Sequence, residues 1–320
     1  MDHIRQLVSD DFAAVNDKIL HQLHSRVGLV EDISHYITEA GGKRLRPLLA
    51  LLAARACGYD GNRHIDLAVI IEFIHTATLL HDDVVDISML RRGRPTANAN
   101  WGNASSILVG DFIYSRAFQM LVNLGDLQVM SLLSDTTNQI AEGEVFQLTK
   151  AGDPATTREE YLRIISDKTA ILFAAALKGA AIITRATPEI QETLYQYGID
   201  LGIAFQLADD VLDYEGDAAT MGKNAGDDLA EGKPTLPLIY SIEQASNGEA
   251  DVIINAIKEK SARNLDKIVT IIKTNGALEH TRAFAESYVE SAKKRLDVLP
   301  ESPFRDALAW LADFSLHRNA

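Results

Sequence analysis

The chain has 320 residues, 47% hydrophobic but only 7% aromatic, with 45 acidic against 31 basic residues and a net charge of −14. That length can bury a sizeable core, and the aliphatic composition favours helices. The acidic balance argues against a nucleic-acid binder held by phosphate contacts, and the single cysteine, Cys57, excludes an internal disulfide framework and fits a reducing, cytoplasmic compartment.

Met1 to Phe12 carries acidic residues and no apolar core, so it does not read as a signal peptide. Helical periodicity then predicts segments over 3–24, 28–40, 44–57, 63–88, 102–123, 126–149, 157–184, 188–215, 234–246, 250–259, 262–274, 278–298 and 303–317. No stretch reads as a strand. Pro95, Pro154, Pro188, Pro300 and Pro303 fall in gaps, and Pro47, Pro234 and Pro237 fall where helices begin, so none interrupts a periodic segment. Thr156 to Glu159 can form a capping box, and Thr187-Pro188 reads as an N-cap followed by a first-turn proline. Loops are expected at Tyr59–Asn62, Arg91–Asn100 and Gly216–Glu231. The apolar stretches Ile65–Leu80 and Thr169–Ile183 are interrupted by Asp66, Glu72 and His75 and by Lys178, and read as too short and too polar to span a bilayer. With no linker-like tract, residues 1–320 read as one all-α domain, a single large helical bundle around a central cavity.

Two acidic clusters carry the chemistry. Asp82, Asp83 and Asp86 end the first long apolar run at spacing i, i+1, i+4, and Asp209, Asp210 and Asp213 repeat that spacing after Ile203–Ala208. On a helix the first and third carboxylates of each set share a face. Crowded carboxylates disfavour one another's charge, and a hard divalent cation relieves the repulsion. One such cluster is as readily a solvated helix end as a metal clamp; two copies are not. If the two helices face each other, all six carboxylates converge.

The basic residues answer them. Gly41-Gly42-Lys43-Arg44-Leu45-Arg46-Pro47 joins a flexible turn to a helix start, a combination suited to an anion. Arg91-Arg92-Gly93 follows the first clamp, while His75, Lys168, Thr169, Gln206, Lys223 and Lys233 are weak signals singly. Together they describe a site for a polyanion that arrives with its own metals, and a diphosphate fits best, because Mg²⁺ is usually held by a few carboxylates plus substrate phosphates.

In sequence, the motifs Gly42–Pro47, Leu80–Asp86, Arg91–Gly93, Lys168-Thr169, Phe205–Asp213, Gly222-Lys223 and Glu231–Pro237 resemble the trans-isoprenyl diphosphate synthases. Within them, Ile74–Leu80 and Ala141–Glu144 look most like the bacterial octaprenyl members. The resemblance implies a prenyltransferase that adds isopentenyl diphosphate units to an allylic diphosphate such as farnesyl diphosphate, for quinone side chains. It implies Mg²⁺, three ions per site, held by the two aspartate clamps. Arg91, Lys168, Lys223 and Lys233 would contact the allylic diphosphate, and Lys43, Arg46, His75 and Arg92 the isopentenyl diphosphate. Lys168, Thr169 and Gln206 would stand beside the reacting carbons. The resemblance also implies a homodimer without nucleic-acid partners. Ala77 and Thr78, small residues one turn above Asp82, leave room for a long tail, with Phe118 and Met120 as candidates for its floor. A shorter-chain synthase and a non-catalytic partner subunit of a heteromeric synthase remain open. A class I terpene cyclase is disfavoured by the Lys43/Arg46 motif.

Overall fold

The structure, a computed structural model, describes residues 1–39, 41–215 and 226–316. Apart from one hairpin, Leu90–Arg91 paired antiparallel with Arg94–Pro95, every regular element described is helical. The chain divides into two compact units, each drawn from three separated segments.

Unit 1 takes residues 1–137, 172–198 and 295–310. Its centre is helix α5, Arg63–Val85, packed beside α2 (Ser9–Gln22), α4 (Leu45–Ala56) and α7 (Asn103–Leu124). Leu67 to Ile71 are fully buried, as are Leu48 and Ala50 to Ala54 of α4. Helices apolar on every side have no stripe to turn toward water and sit inside. Each such leucine contributes about 1.5–3 kcal/mol. Close approach relies on glycine: a Cβ at Gly198 would lie 2.4 Å from the Ala174 Cα.

Helix α5 corrects the expectation that this stretch is too short to span a bilayer. It has 23 residues and is long and apolar enough by those two measures, although 61% of its most apolar window is buried inside the protein. A second correction concerns its end. The predicted helix over 63–88 stops at Val85, because Ile87 turns left-handed at φ 54° and the Ser88 N–H returns to the Asp83 carbonyl at 2.9 Å. The loop that follows is pinned. Thr96 Oγ1 donates to the Ser88 carbonyl at 2.7 Å, and Asn98 Nδ2 donates to the Asp83 and Ser88 carbonyls. The segment expected to be plain loop over 91–100 therefore contains the hairpin and a short helix, α6 (Ala97–Trp101).

Unit 2 takes 138–171, 199–294 and the residues from 311 onward. Helix α9, Arg158–Ile165, opens on a capping box one residue later than expected, Thr157 with Glu160, because the Thr156 hydroxyl donates instead to the Asp153 carbonyl. The helix expected to run unbroken over 157–184 contains a π-turn at Ser166–Ala170, between α9 and α10 (Ile171–Ile183). Helix α11 spans Pro188–Glu215, with the predicted Thr187 cap accepting from the Ile190 N–H at 3.3 Å. The remaining helices of the unit include α12 (Asp227–Ala230) and α13 (Leu236–Gln244). Tyr161, Ile165, Ala170, Leu207 and Leu236 share one buried cluster, which fixes α9, the π-turn and α11 against one another.

Candidate active site

In unit 1 the first clamp sits at the C-terminal end of α5, with Asp86 as its C-cap. Asp82 and Asp86 are partly exposed and Asp83 is fully buried. Arg91, at the start of the hairpin, grips Asp83: its Nε and a terminal nitrogen donate to Oδ1 at 2.8 and 2.7 Å. The other Asp83 oxygen is buried with no hydrogen-bond partner among the described residues. Such an oxygen is expensive to leave alone, so a carboxylate-seeking cation fits beside Asp82 and Asp86. Among the described residues no three Asp, Glu, His or Cys side chains form a ready-made ion cage.

The basic pocket of unit 1 lies around the glycine turn. Arg92 is left-handed at φ 53°, and its guanidinium donates to the Gly41 carbonyl. Gly42, at φ 131°, holds a backbone conformation that favours glycine, and a Cβ there would fall 2.6 Å from an Arg92 nitrogen and push that side chain aside. Arg46 donates to His75 Nε2 at 3.1 Å and lies 4.3 Å over the Phe173 ring. Burial, offset by Glu72 and reinforced by Arg92, lowers the Arg46 pKa to about 10. Burial and then the charges of Arg46, Arg92 and Arg91 push His75 well below the usual imidazole range. It is therefore neutral and accepts at Nε2. Glu72, His75, Thr38, Gly41 and Arg92 line one pocket. Burial raises the Glu72 carboxyl despite Arg44, Arg46 and Arg92. Lys43, half-buried at the turn, accepts from Arg5 through its carbonyl at 2.9 Å.

In unit 2 the π-turn aims Lys168 and Thr169 at α11. Two glycines let it approach: a Cβ at Gly143 would lie 2.8 Å from the Asp167 Cβ, and one at Gly202 would lie 2.4 Å from the Ala170 Cα. Lys168 pairs with Glu144 at 2.8 Å. Thr169 Oγ1 donates to Gln206 Oε1 at 3.1 Å, Gln206 Nε2 to Asp210 Oδ1 at 2.9 Å, and the Tyr161 hydroxyl to Asp210 Oδ2 at 2.5 Å. Burial first, then the Asp228 charge, pushes the Asp210 carboxyl up to about 8, against the lowering hydrogen bonds from Tyr161 and Gln206. Lys168, Thr169, Gln206, Asp210 and Lys233 line one cavity with Tyr161 and Asp228. Lys233 also pairs with Glu231. Asp209 is partly exposed and Asp213 fully buried.

The second cluster thus divides as the first does, with one carboxylate of the adjacent pair held by neighbouring donors. Glu72, Glu144, Tyr161 and Asp228 line these pockets or pair with the predicted residues, and sequence reasoning missed them. Asp228 stands in the stretch expected to be loop, and Tyr161 carries no local signal. Lys223 lies outside the described residues. Of the chain-length candidates, Ala77 and Met120 are buried, while Thr78, half-buried, donates to the His75 carbonyl at 2.9 Å. Phe118, half-buried on α7, lies with its ring 5.1 Å from Tyr114.

Residues 27–274 match the polyprenyl synthetase family. Octaprenyl diphosphate synthase of Escherichia coli (strain K12) is 50% identical over 320 residues, covering 100% of this chain and 99% of that protein. All-trans-nonaprenyl-diphosphate synthase (geranyl-diphosphate specific) of Rhodobacter capsulatus is 47% identical over 312 residues, 97% of this chain and 96% of that one. The crystal structure of polyprenyl synthase from Caulobacter crescentus CB15, complexed with calcium and isoprenyl diphosphate, matches at a TM-score of 0.96 and 44% identity, covering 100% of this chain and 98% of that one. With the two aspartate clamps and the basic pocket in place on an all-α fold, the chain belongs to the polyprenyl synthetase family and is a prenyltransferase.

Proposed function

We propose that the 320-residue chain works as one catalytic domain, a long-chain all-trans polyprenyl diphosphate synthase that makes an octaprenyl product from an allylic diphosphate and isopentenyl diphosphate. The observation that carries this is the pairing within unit 1 of an aspartate clamp with a separate pocket of arginines and a neutral histidine. One set of groups suits a diphosphate that brings metal, the other a diphosphate that does not. The 50% identical octaprenyl relative and the Caulobacter complex with calcium and isoprenyl diphosphate support the same assignment.

In this account Asp82, Asp86, Asp209 and Asp213 hold Mg²⁺, three ions when substrate is bound, and Asp83 and Asp210 complete the two clamps. Mg²⁺ held there would supply the positive charge that makes the diphosphate a good leaving group. Arg91, fixed by Asp83, and Lys168, Lys223 and Lys233 bind the allylic diphosphate. Lys43, Arg46, His75 and Arg92 hold isopentenyl diphosphate with its double bond toward the allylic carbon. Ionisation leaves an allylic cation, the double bond attacks it, and loss of a proton to the released diphosphate yields a product one unit longer. Thr169 and Gln206 present neutral oxygens to the cation, which stabilise charge without adding to carbon. The growing tail passes Ala77 and Thr78 along α5, about 35 Å long at 1.5 Å per residue, toward Phe118 and Met120. We assign the enzyme to the cytoplasm. The unpartnered apolar side chains of α7 suit a homodimer.

Asp82→Ala tests the metal assignment. Turnover is expected to fall by two or more orders of magnitude with the circular dichroism spectrum unchanged. Wild-type turnover in the folded variant refutes it.

A further inference from the structure

Asp210 is buried, and both of its oxygens are occupied by side-chain donors. The hydrogen bonds run in one direction. Tyr161 donates to Oδ2, Gln206 Nε2 donates to Oδ1, and Thr169 donates to the Gln206 carbonyl. An amide has two chemically different ends: the Thr169 hydroxyl can pair with either, and it is the Asp210 oxygen that takes the N–H end. With Nε2 committed to a carboxylate, Oε1 must face Thr169, and the Thr169 hydroxyl, having donated, turns its lone pairs outward. Tyr161, Thr169, Gln206 and Asp210 all line the same cavity. The geometry points to Tyr161 as a positioning residue for prenyl transfer: by holding Asp210, it fixes the Gln206 amide and the Thr169 hydroxyl in the orientation that presents oxygen to the developing cation.

Nothing else described holds the second Asp210 oxygen. Without the tyrosine hydroxyl the carboxylate is anchored at one end and free to rotate about χ2, and the Gln206 amide loses its reason to prefer one flip. Tyr161 stands midway along the short helix that leads into the π-turn carrying Thr169, so one short segment sets both ends of the hydrogen-bonded chain. The Asp228 carboxylate shares the cavity wall, and a freed Asp210 would meet its repulsion. This inference rests on the prenyl-transfer function proposed above.

Tyr161→Phe keeps the buried ring and removes only the hydroxyl. In the full-length enzyme with Mg²⁺, farnesyl diphosphate and labelled isopentenyl diphosphate, kcat is expected to fall about tenfold, the scale of leaving one buried hydrogen-bonding group unsatisfied. KM for both substrates and the half-saturating Mg²⁺ concentration stay within about twofold. The decisive readout is the coupling. In a Gln206→Ala background, Tyr161→Phe is expected to remove less than about twofold more, because its effect passes through Gln206. Asp210→Asn, which preserves shape, reports the same coupling if Tyr161→Phe does not fold. An unchanged kcat in Tyr161→Phe, a full tenfold loss on top of Gln206→Ala, or a shift confined to Mg²⁺ dependence overturns the inference. Failure of the wild type to elongate any allylic diphosphate would instead refute the proposed function, a result distinct from each of these.

Discussion

Asp210 shows how burial sets one member of an aspartate cluster apart from its neighbours. In the metal-free protein its carboxyl is raised from 3.8 to about 8, so between those values the folded state keeps a proton that the unfolded state has released. Its contribution to stability is fully present below pH 3.8 and disappears as pH rises toward 8. Asp210→Asn removes this liability. In the presence of chelator the variant is expected to melt higher than wild type at pH 8.5 and to show a smaller gain at pH 5. Equal differences at the two pH values, by thermal melts, would contradict the assignment. The same substitution is expected to lower turnover, the common trade between stability and a strained site. The acidic residues themselves were legible in the sequence from their repeated spacing. Their partners were not. Arg91 lies only eight positions after Asp83, close enough to suggest a partner of the aspartates, but spacing does not show which of the three it grips. Tyr161 lies 49 positions before Asp210, on a different helix, and no local pattern joins them.

At the scale of elements, most helices were readable because proline and capping residues mark their ends and none breaks a periodic run. The exceptions have physical reasons. Helix α5 ends early because Ile87 adopts a left-handed backbone, which nothing about a β-branched residue announces. The π-turn was invisible because the residues after it, Ile171 to Leu177, are buried on every side, so one inserted residue leaves no break in hydrophobic phase. Glycines 143 and 202 were the available trace, and their close contacts emerge only once the helices pack. Helix α7 poses the opposite problem, for it exposes what a helix usually hides. Leu108 is 66% exposed and Val122 62% exposed. We expect the wild type to elute as a dimer at micromolar concentration and Leu108→Glu to shift toward monomer, since charge in an apolar interface is costly. A monomeric wild type would contradict the dimer.

On the scale of the whole molecule, periodicity predicts an all-helical chain, which the structure shows apart from one hairpin. Composition argues against a nucleic-acid binder and leaves a single cysteine, too few for a disulfide framework. The division into two units left no mark in the sequence, because each is assembled from interleaved segments without linkers. Function was legible for a different reason: a reaction that brings two diphosphates together needs many charged residues in a fixed order, and the order survives in the chain. On the proposed reading, product length depends on how helices α5 and α7 pack around small and large residues, which spacing alone conveys weakly. The most direct test of the account is therefore a product analysis. Purified protein would be incubated with Mg²⁺, farnesyl diphosphate and labelled isopentenyl diphosphate, and the dephosphorylated products resolved by length. The account predicts a ladder that ends at about eight isoprene units, with a tail that fits beside a helix of such length. A stop at four or five units would leave the chemistry standing and contradict the tail path past Ala77, and folded protein that elongates nothing would contradict the central claim.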